Sequence, residues 1–475
     1  GEKKLQIRME DLAEQIDDTR INVSKVLNEL KDGGVIRLSR RIIDIPDMET
    51  LSNYKENKKT LFMENPFLQP YTTPHGTVPF DKIELVHYEP AIREGISQED
   101  KEINDIISNP EKPTFKNTIL ALEQSGKLLD QVTTVMFNLM SAETCNELDE
   151  IAEKMMPLLS EHSNNISLNE KLFERVKQVY EDRKNLKLTP EELRLLEKTY
   201  DGFVRNGANL SEEDKVTFRK ISTELSSLTL RFSQNHLKET NSYELLLDSE
   251  EQLKGLPESI IEAAAHTAKE KGKNGWIITL QAPSYVPFMK YCDDRSLRRE
   301  VYMAYNTQCT HNNEYNNVDI IKQLVNIRME LAHLLGFSTF AEYKLKKRMA
   351  ENSESVYKLL NQLLDAYTPA ALKEVAEVEA LAREMEGNDF QLMPWDWAYY
   401  SEKLKNKKFN LNEEELRPYF ELSQVEKGVF GLATRLYGIT FKENKEIPVY
   451  HPDVKAYEVF DKDGSFLAVL YTDFH

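Results

Sequence analysis

Apolar residues recur every three or four positions through most of the chain, which is the spacing of one face of an α-helix. From residue 75 onward this spacing predicts long helices over residues 115–138, 148–162, 190–203, 212–232, 318–335 and 353–385. A capping residue and a first-turn proline, Thr189-Pro190, open one of them. We expect helices 190–203 and 212–232 to pack as an antiparallel pair across the turn at 207–210.

Strand patterns are few. Residues 276–280 have the composition of a strand, and residues 456–460 and 466–471 flank the turn Asp461-Lys462-Asp463-Gly464. These two runs predict a C-terminal β-hairpin. The apolar run 466–471 would then lie at a sheet edge, where it is an aggregation hazard.

The first 57 residues have a different pattern. Two short apolar stripes, one over residues 9–16 and one over 23–30, predict two helices separated by the turn Asp17-Asp18-Thr19. Gly33-Gly34 ends the second helix, and residues 35–45 predict a short hairpin. Helix, turn, helix and hairpin together describe a winged helix-turn-helix.

The segment EDLAEQIDDTRINVSKVLNELKDGGVIRLSRRIIDI, residues 10–45, resembles the DNA-binding domain of the catabolite-activator/Fnr family. In that family the second helix enters the major groove. The resemblance implies base contacts from Arg20, Ile21, Asn22 and Lys25. It implies phosphate contacts from Ser24, Arg37, Arg40 and Arg41.

Two features weigh against DNA binding by this segment. Many members of the family carry Glu where this chain has Ile21, and isoleucine accepts no hydrogen bond from a base. Residues 1–56 also carry 12 acidic against 10 basic side chains. A folded helix-turn-helix without a DNA role therefore stays open as the alternative.

Residues 58–74 are rich in charge, Asn and Pro and predict a linker between the helix-turn-helix at 1–57 and the body at 75–475. Met63 stands within the linker and resembles the natural start of another protein. We therefore consider the hypothesis that the chain joins the end of a regulator to the beginning of a separately encoded enzyme.

The chain has 80 acidic and 61 basic residues and a net charge of −19, which argues against non-specific binding to nucleic acid or membranes. No stretch reaches the roughly 18–20 apolar residues that span a bilayer. Its three cysteines, Cys145, Cys292 and Cys309, are too few and too scattered for a disulfide framework. We predict free thiols in a reducing, cytoplasmic location and no membrane partner.

The nine histidines are the first candidates for hydrolytic chemistry. None is followed by Glu, and no two lie three to five residues apart, so the zinc-protease motif HExxH is absent from these 475 residues. No P-loop, GxGxxG or GxSxG element occurs either. The sequence predicts neither catalytic nor metal-binding residues.

An aromatic run contains Trp395, Trp397, Tyr399 and Tyr400. Two interpretations stay open. In one, these side chains pack in the core, and in the other they line a peptide channel.

Several segments together resemble the thimet oligopeptidase family of zinc peptidases, nearest its peptidyl-dipeptidase and oligopeptidase A members. They are NPEKPTFKNTILALEQSG (109–126), YDGFVRNGANLSEEDK (200–215), LAHLLGFSTFAEYKL (331–345), PWDWAYYSEKL (394–404) and VYHPDVKAYEVFDKDG (449–464). The resemblance runs from about Met63 to His475. The predicted fold class is thus mostly α, with a winged helix-turn-helix, a large all-helical peptidase shell and a C-terminal hairpin.

The resemblance implies a helical shell around a channel in which a zinc-bound water cleaves short peptides. It also implies that the HExxH helix and the third zinc ligand follow the strand LYTDFH, at which this sequence ends. We therefore expect an N-terminal fragment of a metallopeptidase that is inactive alone and binds no zinc. The rival hypotheses are a DNA-binding protein with a peptidase-derived body and a fragment that binds peptides without cutting them.

Overall fold

A computed structural model describes residues 3–6, 27, 30–31, 36–39, 42–45, 64–411 and 413–474. The described part is mostly helical, which confirms the predicted fold class for the body. Its α-helices of six or more residues are α1 (Tyr88–Ser108), α2 (Lys127–Ala142), α3 (Asn146–Ser167), α4 (Glu170–Glu181), α5 (Pro190–Arg205), α6 (Glu212–Ser242), α7 (Glu258–Glu270), α8 (Ala282–Tyr291), α9 (Arg295–Asn306), α10 (Val318–Leu334), α11 (Phe340–Leu345), α12 (Ser353–Glu386), α13 (Trp397–Phe409) and α14 (Leu422–Tyr437).

Three small antiparallel sheets accompany these helices. Their strands are β1 (Lys3–Gln6), β2 (Arg37–Ser39), β3 (Ile42–Ile45), β4 (Leu245–Leu247), β5 (Trp276–Ile278), β6 (Thr440–Glu443), β7 (Lys455–Phe460) and β8 (Phe466–Thr472). The sheet orders are β1-β3-β2, β4-β5 and β6-β7-β8. The C-terminal hairpin is confirmed as β7 and β8, and β6 adds a third strand that the sequence pattern did not predict.

The two longest of the later predicted helices, 318–335 and 353–385, are confirmed as α10 and α12. The single helix predicted over 115–138 is wrong, because the chain breaks at Gly126. A π-helical segment, Phe115–Leu120, continues into Ala121–Glu123, and α2 begins after Gly126, whose φ is 70°. The Gly126 amide donates a 2.8 Å hydrogen bond to Glu102, and a Cβ at Gly126 would collide with Glu99.

The predicted antiparallel pairing of α5 with α6 is also wrong. Helix α5 packs on α4, where Tyr200 stacks on Tyr180 with ring centroids 3.8 Å apart. Helix α6 packs on α10 instead, with Leu228 against Ile320 and Leu324. The apolar spacing predicted where the helices lie along the chain, but it did not predict which helices pack against one another.

The chain divides into two compact units, residues 1–105, 122–151 and 439–475 in one, and residues 106–121 and 152–438 in the other. In the first unit His75 stacks on Phe466 of β8 at 3.7 Å, and Phe80 contacts Tyr450 and Tyr471 edge-on. In the second unit the largest core cluster surrounds Phe288 of α8.

Residues 64–74, predicted as linker, are held in the first unit. Phe67 is buried and its ring lies 5.2 Å from that of Tyr88, while the buried Asn65 side chain donates to the carbonyl of His87 at 2.8 Å. Burial of the apolar Phe67 side chain stabilises the packing of this segment, although the segment as a whole has a polar composition. None of the helices in the described part of the chain combines the length and apolar composition of a membrane-spanning segment.

Candidate functional site

The aromatic run of the sequence lies where α13 begins. A short turn, Pro394–Asp396, leads into α13, and the Asp396 carboxylate is fully buried. Its Oδ1 accepts a hydrogen bond from Arg298 at 3.0 Å, and its Oδ2 accepts from Arg295 at 2.7 Å and from the Met393 amide at 3.0 Å. Two guanidinium groups of α9 thus fix the start of α13.

The four aromatic side chains have different surroundings. Tyr399 and Tyr400 are buried, and Tyr399 donates to Asp293 at 2.7 Å while Tyr400 donates to Glu386 at 3.0 Å. Burial, followed by these hydrogen bonds to carboxylates, raises the pKa of both phenols. Both tyrosines therefore pack in the core rather than line an open channel.

Trp395 is partly buried against the Phe288 cluster, whereas Trp397 is 40% exposed. Trp397 lies in an open groove of about 550 Å³ between α12 and α13. The other groove residues are Ala370, Lys373, Glu374, Glu377, Val378, Ser401, Leu404, Lys405, Lys408 and Phe409. Of the four predicted lining residues, the structure brings only Trp397 to this groove.

The groove combines apolar walls with charge. The rings of Trp397 and Phe409 are exposed. Lys408 forms an ion pair with Glu377 and Lys405 forms one with Glu402, while Lys373 and Glu374 add one charge of each sign to the groove. Such walls suit an apolar side chain, and the ammonium groups suit a carboxylate. A peptide offers both kinds of group.

The sequence pattern did not predict the lysines and Phe409 of this groove. A signal was present, because Trp397, Ser401, Leu404, Lys405 and Lys408 recur at helical spacing and share one face of α13. The groove residues of α12 recur at the same spacing, but only the pairing of α12 with α13 brings the two faces together.

The residues that the structure describes do not fit a zinc site. Among them no group of three or more His, Cys, Asp or Glu side chains could hold a metal ion. Histidines beside carboxylates serve the fold instead, as His75 bonds to Glu458 at 2.6 Å and His311 to Glu239 at 2.9 Å. Glu239 also accepts from the Cys309 amide, which anchors the loop after α9.

The predicted DNA-contacting residues fall mostly outside the described residues, namely Arg20, Ile21, Asn22, Ser24, Lys25, Arg40 and Arg41. Arg37 is described and lies exposed on β2, paired in register with Asp44 of β3. The hairpin predicted to follow the helix-turn-helix is confirmed in these two strands.

The described residues thus combine a mostly helical fold with an open groove of about 550 Å³. Residues 288–475 match peptidase family M3, and residues 1–54 match the Crp-like helix-turn-helix domain. The chain is 40% identical over 412 residues to dipeptidyl carboxypeptidase of Escherichia coli (strain K12), an alignment that covers 86% of this chain and 60% of that protein. It is 33% identical over 417 residues to oligopeptidase A of the same organism, with 87% and 61% covered.

The chain is therefore similar to peptidase family M3 over residues 288–475 and to Crp-like helix-turn-helix domains over residues 1–54. It spans about 60% of the length of the relatives that it matches.

Proposed function

We propose that this chain forms the peptide-binding part of an M3 zinc peptidase that cleaves short peptides, as dipeptidyl carboxypeptidase or oligopeptidase A does by name. The 40% identity to dipeptidyl carboxypeptidase over 412 residues carries this proposal. We further propose that a polypeptide of these 475 residues does not hydrolyse peptides, which the absence of HExxH supports.

The α12–α13 groove is the proposed contact for a peptide. Trp397 offers an exposed indole ring. Lys373 lines the same groove, and so do Lys405 and Lys408, which form ion pairs with Glu402 and Glu377. Exposed tryptophans in such settings carry a large share of binding energy. A short peptide with an apolar side chain beside its C-terminal carboxylate matches both features.

The test is isothermal titration with an N-terminally blocked tetrapeptide that ends in a free carboxylate. We expect Trp397→Ala to weaken binding about tenfold, a loss of about 1.4 kcal/mol. Tyr419→Ala is the matched control, because Tyr419 is 77% exposed and lies outside the groove lining. Equal affinities for the wild type and Trp397→Ala would remove the groove from the proposal.

The match of residues 1–54 to the Crp-like helix-turn-helix domain favours DNA binding as a second function. Arg20, Ile21, Asn22 and Lys25 are the proposed base contacts, with Ser24, Arg37, Arg40 and Arg41 toward phosphates. Duplex DNA titrated in fluorescence anisotropy should bind less tightly as salt rises, and Arg20→Ala with Lys25→Ala should abolish the preference for any one sequence. Binding that is independent of salt and of these two residues would exclude this function.

We also propose a cytoplasmic location. It is supported by Cys145, Cys292 and Cys309, which are all free.

A further inference from the structure

Positively charged side chains from three helices meet around two aromatic rings of α11. The rings of Phe340 and Tyr343 have their centroids 5.8 Å apart. The guanidinium carbon of Arg205, the last residue of α5, lies 4.3 Å from the centre of the Tyr343 ring. The Lys344 ammonium lies 5.4 Å from the same ring and 5.3 Å from the Phe340 ring. The Arg328 guanidinium of α10 lies 5.5 Å from the Phe340 ring, so three positive charges share one place.

A fourth positive charge, that of Arg348, comes from the segment that follows α11. The pKa of the Lys344 ammonium lies below its ordinary value, first because its surroundings exclude part of its water. Three nearby guanidinium groups, which repel its charge, lower this pKa further. We name the four residues the cationic cluster, and its members are Arg205, Arg328, Lys344 and Arg348. Repulsion within such a cluster costs free energy that a bound anion would remove.

The carboxylates next to the cationic cluster along the chain are engaged by other groups. Asp201, one turn before Arg205, lies 4.0 Å from the Lys347 ammonium. Glu342 accepts hydrogen bonds from the amide and the hydroxyl of Ser338. Within the described ranges no carboxylate forms an ion pair with any member of the cluster. In a chain with 80 acidic and 61 basic residues, these four charges are therefore available to an external anion.

The donors of the cationic cluster suit phosphate. A guanidinium presents several N–H donors in a planar fork that matches two phosphate oxygens, and an ammonium adds a point charge. The Arg205 Nη2 donates to the Tyr343 carbonyl at 2.8 Å, which holds this guanidinium in place while its other nitrogens keep N–H donors for a ligand. Four positive charges match an anion with at least two phosphate groups.

A long nucleic acid is the less favourable occupant of the cationic cluster. Beyond the cluster, its further phosphates would meet the field of a chain with a net charge of −19. A compact anion places all of its charge within the cluster and avoids this repulsion.

We propose that the cationic cluster of Arg205, Arg328, Lys344 and Arg348 is a binding site for a compact anion that carries two or more phosphate groups. Inorganic pyrophosphate and the phosphate chain of a nucleoside triphosphate belong to this class. The site uses no residue that lines the α12–α13 groove, so its ligand is distinct from the proposed peptide.

The test titrates the purified 475-residue chain with inorganic pyrophosphate in a calorimeter, without peptide and without added metal. We expect binding that weakens as the salt concentration rises, because the contacts are between charges. Lys344→Gln with Arg348→Gln removes two exposed charges of the cluster and should weaken binding about tenfold. The matched control, Lys427→Gln with Arg435→Gln, removes the same charge from exposed positions of α14 and should change the affinity by less than about twofold.

Three further ligands identify which chemical group is recognised. Adenosine triphosphate should bind at least as tightly as pyrophosphate, whereas adenosine should not bind, because the phosphate groups carry the recognition. Citrate, a compact anion with carboxylates only, should bind more weakly than pyrophosphate.

Four results would overturn the proposal. They are no binding of pyrophosphate to the wild type, equal weakening by the cluster pair and the control pair, binding of adenosine, and binding of citrate as tight as that of pyrophosphate.

Discussion

At the scale of single residues, Asp396 is the buried charge that fixes the start of α13. It has no exposed surface, and the neighbouring Arg298 is 1% exposed. Arg298 also donates to the carbonyl of Cys292 at 2.8 Å and lies over the Tyr399 ring at 4.1 Å. Removal of either partner alone would leave an uncompensated charge in the interior, which is strongly destabilising.

We predict that Asp396→Asn destabilises the protein by about 3–5 kcal/mol, because it leaves the Arg298 guanidinium buried without its counter-charge. The free energy of unfolding in urea measures the loss. Asp389→Asn is the control, since Asp389 is exposed and should change stability by less than about 0.5 kcal/mol. Similar unfolding curves for the two variants would contradict this account of Asp396.

At the scale of elements, β8 is the edge strand with the greatest apolar exposure in its sheet. It pairs with β7 on one side, and Phe466, Leu467 and Leu470 are 37–57% exposed. An exposed apolar edge is a template for pairing with other chains. The sequence pattern predicted that the apolar run 466–471 lies at a sheet edge, and the sheet order confirms this position.

We predict that Leu467→Lys slows self-association of the purified chain severalfold, because a lysine on an edge strand opposes pairing with another chain. Light scattering during incubation at 37 °C measures the rate. Glu446→Gln is the control, since it makes the same net change in charge at an exposed site outside β8. If both variants aggregate at the same rate, net charge rather than the edge strand governs association.

Sequence periodicity predicted the bounds of the helices better than it predicted which helices pack together. The stripes of α10 and α12 were long and regular, so their bounds were found within one residue. The break at Gly126 was missed because it depends on a left-handed backbone and on Glu102 from another helix. Trp397 is the one groove residue that the sequence predicted. The rest of the groove depends on the packing of α12 against α13, which a local sequence pattern does not predict.

At the scale of the whole molecule, two regions of the chain match different families. Residues 1–54 match the Crp-like helix-turn-helix domain, and residues 288–475 match peptidase family M3. Cleavage of an amide in this family requires zinc. The described residues contain no group able to hold a metal ion, and the sequence contains no HExxH. Peptide binding by this chain and the lack of cleavage by these 475 residues are therefore both proposals that experiment must separate.

The most direct test incubates the purified 475-residue chain with a blocked tetrapeptide and added zinc, and follows the products by mass spectrometry. The account predicts intact peptide throughout, although the same peptide binds in the titration. Release of a C-terminal dipeptide that a chelator abolishes would contradict it.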